Sequence, residues 1–218
     1  FEGFVYNRFD RAAMTAMALS EMALPGNDTW LGRTVDTTGW WSIMGVDIGT
    51  RNPTVVNTLR IRGDGEQVHQ AHEFYQAGLG TADILDAIEA EYKAELNRGY
   101  EVEAILIDPS AAAYLVDLRE RDLPVQPANN DIVTGVQRVT SVLEQGYTID
   151  PSCVNTAVEF ESYHYPQGSR HEHIDKPVKL FDHSMDATRY AIAGIPKAQN
   201  TVSAVDEEWA DQLMSYVG

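Results

Sequence analysis

Asp47, Asp108 and Asp186 each sit where an apolar run gives out, in the strings WWSIMGVDIGT, VEAILIDPS and KLFDHSMDATRYAIAG. Carboxylates gathered at the ends of buried strands repel one another unless they share protons or hold cations, because neighbouring like charges raise each other's pKa. Clusters rich in oxygen donors suit hard divalent ions such as Mg²⁺ or Mn²⁺. With no serine elbow or reactive cysteine beside them, such acids point to metal-assisted phosphate chemistry.

Taken singly, each acid has a plainer reading. Gly45 and Gly49 let the backbone turn closely around Asp47, which is then either a ligand or a turn aspartate after a strand. Asp108 precedes Pro109 and Ser110 and is either a ligand or a helix cap. Asp182, His183 and Asp186 stand at spacings that share one helix face. A cap at the helix N-terminus accounts for Asp182, so its removal is expected to cost stability. Asp186 lies inside the first turns, where aspartate has poor propensity and no capping role, and function is the better reading. His183 is a metal ligand, a proton donor or a first-turn histidine. Lys176 and Lys179 either approach a phosphate or are exposed loop lysines without a function. His164, His171 and His173 lack the spacing of a structural zinc site and are expected to face solvent.

The elements that must position these residues follow from periodicity. Residues 1 to 40 show no steady period and read as a linker, with a helical stretch around Ala12 to Met22 and a turn at Pro25 to Asp28. Strands are expected at Trp41 to Val46, Thr54 to Ile61 and Gln67 to Tyr75, the last two joined by a hairpin at Arg62 to Gly65. A helix capped by Thr81 carries Ile84, Leu85, Ile88, Tyr92 and Leu96, and Ala104 to Ile107 is a short buried strand. Ser110 is expected to cap a helix through Arg121, and Pro124 to Pro127 fits a strand. Asp131 opens a helix that Gly146 closes, and another helix covers Val154 to Tyr163. Tyr163 to Leu180 reads as a loop or hairpin before the final helix, Ser184 to Gly194. The order is βββαβαβα with additions.

Length and composition bound the rest. A chain of 218 residues holds one good core, and no stretch approaches the ~20 apolar residues of a membrane span. The lone Cys153 excludes an internal disulfide framework. There are 33 acidic against 16 basic residues and a net charge of −17, so the chain does not present the basic face usual in free nucleic-acid binders. Its two locally basic stretches, Arg119 to Arg138 and Arg170 to Arg189, read first as solvated faces. The start at Phe1 and the absence of a secretory pattern suggest a piece of a longer polypeptide.

The element order is similar to that of ribonuclease H-like folds: an α/β mixed sheet, three antiparallel strands then parallel strands, flanked by helices. The resemblance then narrows. GVDIGTRNPTVV, AILIDPSAA, NNDIVTGVQRVTSVLEQG, PSCVNTAVEFESYHY and KPVKLFDHSMDATRYAI, in this order from about Trp41 to Gly194, resemble the nuclease domain of the large terminase subunit of tailed bacteriophages. DHSMDATRY is the most specific of these strings, and FVYNRFD resembles the segment by which that family leaves its ATPase domain. The resemblance implies a double-stranded DNA endonuclease of genome packaging that uses two divalent ions, Mg²⁺ or Mn²⁺. Its ligands would be Asp47, Asp108 and Asp186, with His183 at a position that contacts metal in some members. It also implies partners, namely the portal protein, the small terminase subunit and the chain's own ATPase domain, and a setting in the host bacterial cytoplasm. The implied organisation is a linker over residues 1 to 40, a nuclease domain over 41 to 196, and an acidic tail over 197 to 218. GVDIGT also resembles the first phosphate loop of actin-like and sugar-kinase ATPases, and a non-catalytic portal or motor docking domain is the other alternative.

Overall fold

Alternate side chains of a strand point to opposite faces of its sheet, and strand β1, Trp40–Asp47, feeds two cores in that way. Ile43 packs in one core and Met44 with Val46 in the other. The computed structural model describes residues 3–18, 39–63, 65, 67–166 and 176–196. In it β1 lies between β2, Pro53–Arg62, which is antiparallel to it, and β4, Val102–Ile107, which is parallel. Strand β3, Gln67–Ala77, pairs antiparallel with β2, and β5, Val125–Pro127, pairs parallel with β4. Strand β6, Tyr147–Ile149, pairs parallel with β3, giving a six-stranded sheet in the order β5-β4-β1-β2-β3-β6. Burial on both faces is why β4 ends in the unbroken apolar run Ala104 to Ile107.

Helices α2, Thr81–Asn97, and α3, Ala112–Glu120, cover one face, where Ile84, Ile88 and Leu118 meet Met44, Val46 and Ile105. The other face carries α1, Arg11–Ala18, α4, Ile132–Gln145, α5, Val154–Ser162, and α6, His183–Gly194. Helix α6 lies directly on β1 because Gly45 has no side chain. A Cβ there would stand 1.8 Å from the carbonyl oxygen of Ala187.

The expected mixed sheet is present, with local differences. Residues 3–18 pack on the sheet domain: Val5, Tyr6 and Met14 are buried in the core that holds Ile43, and Phe9 stacks on Phe160 at 4.5 Å between ring centroids. Asp108, not Ser110, caps the turn after β4, its Oδ1 accepting from the Ser110 amide at 2.7 Å. Gly80 rather than Thr81 holds the cap position of α2, and the Asp83 carboxylate accepts from its amide. Asp131 caps α4 as expected. The backbone of His164 forms an antiparallel bridge with Phe4, and its half-buried ring lies 2.8 Å from the Ser162 carbonyl on the exposed side. Pro25 to Asp28, Arg170, His171, His173 and the tail 197–218 lie outside the described residues.

Candidate functional site

The parity that buries Ile43 and Gly45 under α6 also turns Asp47 toward that helix. In β4 the same rule acts through Ala104 and Leu106, and it turns Asp108 the same way. Val46 and Ile107 are paired in register, so the two aspartates that follow them stand at the same end of adjacent parallel strands. Helix α6 crosses this edge and presents His183, Asp186 and Tyr190 at the spacing of one face. Three segments distant in sequence thus deliver Asp47, Asp108, His183 and Asp186 to one sheet edge.

Each acid is oriented by a specific partner. The Asp47 Oδ2 lies 2.8 Å from His183 Nδ1. Asp108 Oδ2 accepts from the Tyr190 hydroxyl at 2.7 Å. Asp186 Oδ1 accepts from Arg189 Nη2 at 2.6 Å, and Lys179 Nζ is 3.8 Å from its Oδ2. Arg189 is buried and passes over Gly135, where a Cβ would fall 2.5 Å from the arginine Cγ. The smallest residue in α4 therefore makes room for the cation that holds Asp186.

The electrostatics match this crowding. Burial pushes Asp47 above its ordinary range, the His183 hydrogen bond opposes that, and the Asp186 charge adds to it. The hydrogen bond to Asp47 raises His183, and burial only partly offsets it. Burial raises Asp108 as well, but the hydrogen bonds from Tyr190 and Ser110 outweigh it and its carboxyl stays below the usual aspartate range. With Nδ1 engaged by a carboxylate, the neutral imidazole of His183 keeps its Nε2 lone pair for a ligand, the usual arrangement behind a metal-bound histidine.

Asp182 departs from its expected role. It occupies the position before α6, yet its side chain makes no capping bond. Glu159, from α5, caps the helix instead, its Oε2 accepting from the amides of Ser184 at 2.7 Å and Met185 at 3.2 Å. Its Oε1 in turn accepts from the Tyr75 hydroxyl at 2.9 Å. Sequence reasoning passed over Glu159, although Thr156, Glu159, Phe160 and Tyr163 recur at helical spacing on the buried face of this segment. Arg189 and Tyr190 were also missed, because their significance depends on which acids they meet.

The donor set, three carboxylates and an imidazole nitrogen, suits a hard divalent cation. Among the described residues no group of three or more acidic, histidine or cysteine side chains, as they stand, is placed to hold a metal ion. Asp47, Asp108 and Asp186 each have an oxygen held by His183, Tyr190 or Arg189. A carboxylate offers about four lone-pair sites, so each acid retains donor capacity beyond its present partner. The turn after GVDIGT closes on itself, with the Thr54 hydroxyl donating to the Gly49 carbonyl at 2.8 Å. The Gly49 amide also donates to that hydroxyl, at 3.2 Å, instead of opening toward a nucleotide phosphate.

Sheet order and strand directions define the class: this is a ribonuclease H-like fold. Within that class the chain resembles the nuclease portion of bacteriophage large terminase subunits, as its sequence strings suggested. The terminase large subunit of Escherichia phage T5 is 27% identical over 169 residues, 75% of this chain and 37% of that protein. The large terminase of a thermophilic bacteriophage superimposes with a TM-score of 0.70 at 24% identity, covering 88% of this chain and 46% of that one. The large terminase nuclease domain of bacteriophage SPP1, solved with bound Mn, gives a TM-score of 0.55 at 20% identity over 69% of this chain and 84% of that one. The chain thus spans less than half the length of the T5 protein and of the thermophilic phage protein. No protein-family model matches it.

Proposed function

We propose that this chain is the nuclease part of a large terminase and cleaves double-stranded DNA during viral genome packaging. The observation that carries the reading is the convergence of Asp47 and Asp108, from adjacent parallel strand ends, with Asp186 and His183 of α6. Asp47, Asp108 and Asp186 would hold two divalent ions, Mg²⁺ or Mn²⁺, with His183 contributing Nε2. Bound in pairs, such ions activate a water for in-line attack on a phosphate and stabilise the leaving oxygen. The chain's own residues keep the acids in place. Tyr190 orients Asp108, Arg189 holds Asp186 while countering its charge, and His183 fixes Asp47.

The partners follow from the same reading: double-stranded DNA, the portal protein, the small terminase subunit and an ATPase domain of the same polypeptide, acting in the host bacterial cytoplasm. Residues 1 to 40 would include the connection to that ATPase domain, and 197 to 218 would form an acidic tail. Among the described residues no helix is long and apolar enough to cross a membrane. A net charge of −17 gives the chain little attraction of its own for duplex DNA, so presentation of the substrate falls to the motor domain. The basic side chains are partly committed elsewhere: Arg121 pairs with Asp86 and Glu89, and Arg138 donates to the carbonyls of Ala193 in α6 and of Ile195 just after it.

The test is incubation of supercoiled plasmid with the chain in Mn²⁺ or Mg²⁺ and in EDTA. Nicked and linear products with little sequence preference are expected with metal and none with EDTA. Undiminished cleavage in EDTA, or no cleavage over a broad range of Mn²⁺ and protein, refutes the reading.

A further inference from the structure

Asp182 is an acid with nothing to do in the fold. Its side chain is not the cap of α6, because Glu159 accepts from the Ser184 and Met185 amides that a cap would serve. Yet only 7% of the residue is exposed, and its Oδ2 is buried without a hydrogen-bond partner. Burying a polar oxygen unsatisfied is costly, and burying it among like charges is more so. The charged groups acting on it are Asp186, Lys179, His183 and Asp47. The Asp186 amide donates to the Asp182 carbonyl at 2.8 Å, so the two acids stand one helical turn apart on the same face. The orphan oxygen is thus buried one turn from Asp186, with Asp186, His183 and Asp47 all near enough to act on its charge.

We propose that Asp182 is a further carboxylate of the metal site, donating Oδ2 to a divalent cation shared with Asp47 and Asp186. This rests on the metal-dependent reading above and extends it to a residue that the sequence presents as a helix cap. An oxygen donor that the fold leaves unpaired is compensated when a cation binds, so its stabilising contribution is made only in the metal-bound protein.

The experiment compares the wild type with Asp182→Asn, Asp182→Ala and Asp186→Asn, measuring Mn²⁺ affinity by calorimetry and the thermal midpoint with and without Mn²⁺. Asp182→Asn keeps the shape and removes the charge. It is expected to weaken Mn²⁺ binding tenfold or more, at least the loss that outer partners of metal ligands cause. Its midpoint without metal should be unchanged or higher, and its gain on adding Mn²⁺ smaller than that of the wild type. Asp182→Ala should move in the same direction, which separates a charge effect from packing of the new amide. Wild-type Mn²⁺ affinity in both Asp182 variants overturns the inference, as does a lowered metal-free midpoint with affinity intact, the signature of a structural cap. Should Asp186→Asn bind Mn²⁺ like the wild type, or the wild type take up none, the underlying metal reading fails instead.

Discussion

Glu159 Oε2 accepts from the backbone amide of Ser184 at 2.7 Å, so a carboxylate from α5 closes the N-terminus of the helix that carries His183 and Asp186. The negative charge sits where the helix dipole favours it, and two otherwise orphaned amides are satisfied. Asp47 and Asp186 keep their relative position only while this helix start is fixed.

Glu159→Gln should therefore lower stability by about 1–3 kcal/mol, the cost of leaving buried groups badly paired. Mn²⁺-dependent cleavage should fall with it, because His183 and Asp186 lose their anchor. Tyr75→Phe removes only the hydrogen bond to Oε1 and should cost about 0.5–1.5 kcal/mol. Urea unfolding and plasmid cleavage on both variants check this. Equal stability and activity for Glu159→Gln and wild type would remove Glu159 from this role.

A pH effect is expected from His69. Burial, with the neighbouring Arg60 and His72, lowers its pKa from 6.5 to about 3, and its Nδ1 lies 2.9 Å from the Thr148 hydroxyl. A folded-state pKa below the unfolded one means that the neutral ring stabilises the native state. That contribution is complete above about pH 6.5 and is lost as pH falls toward about 3, because only the unfolded chain takes up the proton. The slope is up to about 1.4 kcal/mol per pH unit. His69→Asn should have a flatter stability profile between these limits in urea unfolding at a series of pH values. Parallel profiles for the two proteins would show that His69 does not titrate in this way.

Much of the site was legible because it depends on short-range rules. Asp47 and Asp108 end apolar runs, and the period of two in each strand determines the face they take. Asp186 was legible from its unsuitability inside a helix. Strand β6 was not, because three residues directly after Gly146 offer no period to read, and its pairing with Val68 to Gln70 is a long-range event. The packing of residues 3–18 was hidden for the same reason: Tyr6 and Phe9 pack on Phe160, a residue some 150 positions away. Asp182 was misread because local rules supply it with a cap role that Glu159 fills from another helix. What the sequence left open was in each case a matter of which distant partner meets a given side chain.

The central claim is that Asp47, Asp108 and Asp186 hold divalent metal, and the most direct measurement is a crystal of the chain soaked in Mn²⁺, with anomalous differences recorded near the manganese edge. Anomalous peaks are expected between the strand ends of β1 and β4 and the first turns of α6, within the ~2.0–2.6 Å oxygen-ligand range of hard divalent cations around Asp47, Asp108 and Asp186. Anomalous signal confined to other acids, or none at millimolar Mn²⁺ in a well-ordered crystal, would contradict the account.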